Sequence, residues 1–213
     1  NIHCWLSKDL DYILDTGLNL YKKIYPSRLC ITSDFLSIDD IPESIDFDGK
    51  KLKKDITNIY SGIMDSNFKT LAPEQPFYNF KDALRNSFQI STQCILIIQA
   101  YTFSLMYFQN VYYFFDPHSR NYLGLPASDG TCILLKFTLE SNLIDYIYML
   151  VSHITSQNIN DIQYEIAPIS FTYVENLKSS SANFSNHTKS KKKEKVQEML
   201  SHNSIMEYLP VEN

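Results

Sequence analysis

The sequence has no excess of basic charge: 19 Lys and Arg stand against 24 Asp and Glu, leaving a formal net charge of -5 and a pI near 5.5. Phosphate binding needs clustered Lys and Arg, so a nucleic-acid partner for the whole domain is not expected. No apolar run reaches the length of a bilayer span, and the first residues, NIHCWLSKDL, lack the basic start and small-residue cleavage site of a signal peptide. The chain therefore reads as soluble, cytoplasmic or nuclear and not secreted, with no membrane partner. Its four cysteines, Cys4, Cys30, Cys94 and Cys132, form no CxxC and pair with no His at metal-ligand spacing. Reduced, mostly buried thiols are the plain reading, and no metal or cofactor is expected. The sequons at Asn183 and Asn186 lie in a Ser/Asn-rich tail without a secretory signal and read as chance.

What is present argues for a folded chain. Hydrophobic residues make up 44% and aromatics 14% of 213 residues, with 15 Tyr and 13 Phe. That is enough for one domain with a sizeable, β-rich core and a tail. The domain is read over residues 1–176. From Leu177 the composition shifts to KSSSANFSNHTKSKKKEK, which cannot bury enough apolar surface to offset its ordering entropy. Residues 177–196 are read as a polar basic linker, and 197–213 as the start of a truncated element. The KSKKKEK cluster reads either as a solvated spacer or as a contact for phosphate or an import receptor.

Leu6, Leu10, Ile13, Leu14, Leu18 and Tyr21 recur at three- and four-residue steps, which predicts an amphipathic helix with Ser7 as N-cap. Gly17 inside it costs about 1 kcal/mol relative to Ala and is expected to permit close packing against a neighbour. Phe35 to Pro42 reads as a short extended or irregular piece, and Asp48-Gly49 as a turn. Leu52, Ile56, Ile59, Tyr60 and Ile63 predict a second helix, and Phe80, Ala83, Leu84 and Phe88 a short third one after the loop LAPEQPF. Then TQCILIIQAYTFSLMYF and VYYFFD, joined at Gln109-Asn110, predict a hairpin. A further strand (GTCILLKFTL), a helix (ESNLIDYIYMLVSHI) and a last strand (DIQYEIAPISFTYV) complete an α+β fold: N-terminal helices, then a mainly antiparallel sheet with one packed helix.

Asp116-Pro117-His118 closes one of the most apolar runs. Residues two apart on a strand share a face, so Asp116 and His118 project together, with Pro117 away from them. A carboxylate beside an imidazole fixes its tautomer and stabilises the imidazolium, as a hydrolase base requires. Taken alone, the same three residues also read as a strand terminus, since Asp and Pro form turns. No third ligand accompanies them to make a metal site.

Three segments carry a family resemblance. IIQAYTFSLMYFQNVYYFFDPHSRN resembles the double strand and FDPH motif of the herpesvirus large-tegument-protein deubiquitinases, which are papain-like cysteine peptidases. LDYILDTGLNLY resembles that family's LDxVLDxG helix through Leu10, Asp11, Ile13, Leu14, Asp15 and Gly17, and FLSIDDIPESI resembles the segment that follows it. The three stand in the family's order, whereas residues 46–92 match only loosely. The resemblance implies a papain-like α+β fold, His118 as general base, Asp116 as the acid that orients it, and ubiquitin or a similar modifier as partner. It also implies a Gln and a nucleophilic Cys on a helix upstream of the LDxVLDxG helix, which would fall before Asn1. Gln93-Cys94 imitates that pair from within a strand, where no helix N-terminus follows to lower a thiol pKa. Cys4 is the better substitute, and Cys132 reads as core.

Three readings follow from the resemblance. The first is a deubiquitinase-type cysteine peptidase domain, inactive as it stands for want of the Gln/Cys segment. The second is a non-catalytic ubiquitin-binding module, and the third an ordinary structural domain of a larger viral-type or mobile-element protein.

Overall fold

The computed structural model describes residue 2 and residues 5–27, 38–64 and 78–174. The expectations for Cys4, Cys30, the 71–77 loop, the linker and the C-terminal element fall outside the described residues.

The first helix forms where the apolar spacing places it. It is α1, Ser7–Ile24, and Leu6, not Ser7, occupies the N-cap. Asp9 reaches back to accept the Leu6 N–H at 2.7 Å, which satisfies a donor that the helix start leaves free. Lys22 and Lys23 sit in its last turn, where cations complement the dipole. Among the described residues Gly17 does not serve close packing: a side chain there would meet none of them within 4 Å.

The expected second helix is absent. Residues 44–63 instead form three strands, β1 (Ser44–Phe47), β2 (Lys50–Ile56) and β3 (Tyr60–Ile63). Asp48 and Gly49, with φ of +50° and +70°, make the turn that joins β1 to β2. Along β2, Leu52, Lys54 and Ile56 are half-buried while Lys51, Lys53 and Asp55 face solvent, a period of two. Lys54 holds an inward position because its ammonium reaches the carbonyls of Ile38 and Ile41, at 3.3 and 2.5 Å. Its stem covers apolar surface while its head finds acceptors.

The other elements follow the sequence closely. Helix α2 spans Phe80–Ile90, with the Asn79 side chain accepting the Asp82 N–H at 2.9 Å as an N-cap. The long aromatic run divides into β4 (Gln93–Ile98) and β5 (Tyr101–Phe108), because the chain turns at Gln99, φ +54°. The Gln109-Asn110 turn, with φ of +51° and +61°, leads into β6 (Val111–Arg120). After it come β7 (Thr131–Phe137), α3 (Glu140–Ile154) and β8 (Gln163–Tyr173).

The strands form one sheet in the order β1-β2-β8-β4-β5-β6-β7, with β3 also pairing β8, and each of these pairings is antiparallel. In β4 the alternating residues Cys94, Leu96 and Ile98 point to one face, and the register places Leu105, Phe103, Phe114, Tyr164 and Ile166 beside them. Helices α2 and α3 cover that face with Phe80, Ala83, Leu84, Leu143, Ile147 and Leu150. Phe80 packs edge-on against Tyr148 and Tyr164, and Arg85 of α2 bonds Glu140 of α3 at 2.7 Å. The architecture is α+β with an antiparallel sheet.

Burial of this core raises three acidic protons. The thiol of Cys94 and the phenol of Tyr146 are both pushed up to about 12, and the phenol of Tyr164 is raised as well, each chiefly by desolvation. All three hold their protons more tightly folded than unfolded. Their contribution to stability is therefore complete below the ordinary values of 9.0 for the thiol and 10.0 for the phenols, and is lost as pH rises toward 12. The melting temperature is expected to drop by roughly 5 °C between pH 9 and pH 11. A calorimetric series that stays flat across that range would show that these groups titrate alike in both states.

Candidate functional site

Strand β6 carries Phe114, Asp116 and His118 on the face that α3 covers. Phe114 packs against Tyr146 of α3 with ring centroids 5.2 Å apart, and Asp116, two residues on, is fully buried. Asp116 Oδ1 accepts the backbone N–H of His118 at 2.9 Å and lies 2.7 Å from His118 Nδ1. The His118 side chain is 34% exposed. Tyr101 and Phe103 of β5 stand edge-on to the imidazole at 5.1 and 5.8 Å. The two residues picked out in the sequence therefore meet, acid beneath and imidazole at the surface. Engagement of Nδ1 leaves Nε2 as the ring nitrogen free to take or give a proton.

A third residue belongs to this group. Arg120 is almost fully buried, and its Nε donates to Asp116 Oδ2 at 2.5 Å. Its guanidinium also lies over the Tyr101 ring, 5.8 Å from the centroid. The signal was present in the sequence as the same two-residue alternation carried one step further.

The loop after β6 is fixed from within. The Asn121 side chain accepts the N–H groups of Leu123 and Leu125 at 2.9 and 3.0 Å, and the Gly124 N–H returns to the Asn121 carbonyl at 2.9 Å. Gly124 has φ of +79°, and a side chain there would run into the Tyr146 hydroxyl, which donates to the Gly124 carbonyl at 3.0 Å. The loop thus presents Tyr122, 90% exposed, and Leu123 to solvent close in sequence to His118.

The two described cysteines differ in place. Cys94 is buried on β4 among core residues. Cys132 is half-buried on β7, and its thiol is raised by burial first and then by the charges of Asp11 and Asp116. Neither environment favours a thiolate. Among the described residues there is no cluster of three or more potential metal ligands, and no helix is long and apolar enough to cross a membrane. A groove of about 990 Å³ lies elsewhere, lined by Leu20, Ile24, Ile45 and Lys54 among others, and includes none of the Asp116, His118 and Arg120 group.

Fold and site together define an α+β domain whose sheet ends in a buried acid bonded to a surface imidazole. The family model described as the herpesvirus tegument protein, N-terminal conserved region, matches residues 2–167, and the chain belongs to that family. Its fold is similar to that of the ubiquitin-specific protease encoded by a murine cytomegalovirus tegument protein, solved in complex with a ubiquitin-based suicide substrate. That likeness has a TM-score of 0.63 and 16% identity over 81% of this chain and 71% of the other. No curated protein sequence matches the chain significantly.

Proposed function

We propose that this is a papain-like cysteine peptidase domain directed at the ubiquitin C-terminus, with His118 as general base and then acid and Asp116 as the residue that orients it. The observation that carries the reading is the 2.7 Å bond between His118 Nδ1 and a fully buried Asp116 carboxylate, with the ring itself part-exposed. Family membership and the ubiquitin-bound structural neighbour support the choice of partner. In this scheme a thiolate attacks the carbonyl at the ubiquitin C-terminus. The C–N bond breaks as His118 protonates the leaving amine, and water activated by His118 then resolves the acyl-enzyme.

The nucleophile is neither described cysteine. Cys94 is sealed in the core with its thiol pushed up to about 12, and the Cys132 thiol is also raised. It is therefore assigned to residues outside those described, either Cys4 or a Gln-Cys pair carried by a longer form of the chain, whose Gln would also stabilise the oxyanion. A thiol-reactive ubiquitin C-terminal probe tests this on the present chain and on an N-terminally extended one. The expected result is labelling of the extended chain that persists through Cys94→Ala and Cys132→Ala. Labelling of the present chain that vanishes with Cys94→Ala would sink the assignment.

A binding-only reading has one observation in its favour, the braced loop that displays Tyr122 and Leu123 to solvent close in sequence to His118. It predicts that neither chain reacts with the probe, while ubiquitin still binds and Tyr122→Ala weakens that binding.

A further inference from the structure

Buried acid–imidazole pairs face an electrostatic difficulty. A carboxylate taken fully out of water needs a counter-charge, and an imidazole beside it supplies one by keeping its proton. A histidine held as imidazolium in that way is a poor base. In this fold the Asp116 carboxylate divides its two oxygens: Oδ1 serves the His118 N–H and Nδ1, and Oδ2 serves Arg120 Nε. Arg120 is buried at 3% exposure, and its Nη2 finds no hydrogen-bond partner among the described residues. Burial of that nitrogen has no offset of its own, so the cation's partners are Asp116 and the Tyr101 ring.

We infer that Arg120 is a positioning residue whose permanent charge is the counter-ion of the buried Asp116 carboxylate, so that the carboxylate does not depend on a protonated His118 for its charge partner. The role of His118 as a base rests on the proposed peptidase reading; the coupling of the three charges does not. The groups that face this cluster from other elements add no compensating charge. Tyr101 and Phe103 of β5 meet the imidazole through their rings. Tyr146 of α3 is pushed up to about 12 by burial and then by Asp116, and Cys132 of β7 is raised by burial, then by Asp11 of α1, and also by Asp116. Both are uncharged at neutral pH. Guanidinium does not deprotonate under these conditions, so it can act as a fixed counter-ion where a lysine could not be relied on.

The amide nitrogen of Gln is bonded to Cδ as Arg Nε is, so Arg120→Gln keeps a donor at the position that faces Asp116 Oδ2 while the charge and the guanidinium plane over Tyr101 are lost. The His118 ring is followed by NMR against pH in the full 213-residue chain, as wild type, Arg120→Gln and Arg120→Met. The expected result is that His118 loses its proton at higher pH in both variants. An unchanged titration in Arg120→Gln with a native spectrum overturns the inference. Should the variants not fold, the wild type alone decides through the carboxyl carbon of Asp116. The inference requires it to keep its ionised shift on both sides of the His118 transition, and a carboxyl that gains a proton as the imidazole loses one overturns it. None of these readings needs a nucleophile or ubiquitin. A chain inert to the ubiquitin probe therefore leaves the inference standing, and a reactive one does not prove it.

Discussion

His118→Ala, made in a chain that carries the nucleophile, is expected to lower ubiquitin hydrolysis by on the order of 10⁴-fold or more, and Asp116→Asn by on the order of 10³ to 10⁴. The base itself is lost in the first case, whereas in the second the base remains but its tautomer and orientation are disturbed. Stability is expected to rank the two in the opposite order. His118 is part-exposed at the end of β6, and its removal forfeits two ring contacts worth about 1 kcal/mol each and the Nδ1 bond to Asp116, whose Oδ1 still accepts the residue's backbone N–H. Asp116 is fully buried against Arg120, and taking away its charge strands a buried guanidinium, a defect of about 3–5 kcal/mol. Measuring single-turnover rates and urea midpoints on the same samples separates chemistry from folding. His118→Ala with unchanged turnover removes His118 from the mechanism. A smaller midpoint loss for Asp116→Asn than for His118→Ala contradicts the account of the buried ion pair.

The Asp–His pair was legible because it needs only one local rule. On a strand, residues two apart share a face, and an apolar run of β-branched and aromatic residues before Asp116 announced the strand. Arg120 obeys the same rule but was harder to see, because the pairing of β6 with β7 shifts register between Asp116 and Arg120. An arginine at a strand's exit reads as solvent-facing unless a buried partner is known. The loop's rigidity was likewise invisible: it depends on Tyr146, 22 residues on, reaching the Gly124 carbonyl.

The failure over residues 50–63 has a physical cause. Leu52, Ile56, Ile59, Tyr60 and Ile63 fall on one side of a helical projection, and that spacing outweighed the Asp48-Gly49 turn ahead of it. In the fold the apolar set belongs to two different strands, and Ile59, between them, is largely exposed. The inward position that would have completed the alternation is held by Lys54, a charged residue made acceptable there by the carbonyls of Ile38 and Ile41. Hydropathy scores Lys54 as outward; tertiary hydrogen bonds place it inward. Long runs whose inward positions are all apolar, such as β4 with Cys94, Leu96 and Ile98, carry no such ambiguity.

Phe114→Ala is expected to be among the most destabilising single changes, by about 3–5 kcal/mol and a melting-temperature loss of roughly 10 °C. Phe114 is fully buried, lies opposite Leu105 and Leu135 in register, and touches Phe103 at 5.0 Å and Tyr146 at 5.2 Å between ring centroids. These neighbours sit on β5, β7 and α3, so truncation opens a cavity where four elements meet, and none can close it without breaking the sheet register. The cost should reach the site as well. Tyr146 holds the Gly124 carbonyl, and Phe103 packs against the imidazole, so both supports of the His118 region lose a partner at once. Tyr122→Ala, at a side chain 90% exposed, is the matched control and should change stability by no more than about 0.5 kcal/mol. Urea unfolding of both variants checks the contrast. A loss below about 1 kcal/mol for Phe114→Ala would mean that the sheet and α3 repack around the gap, and that the His118 region does not depend on this aromatic cluster for its geometry.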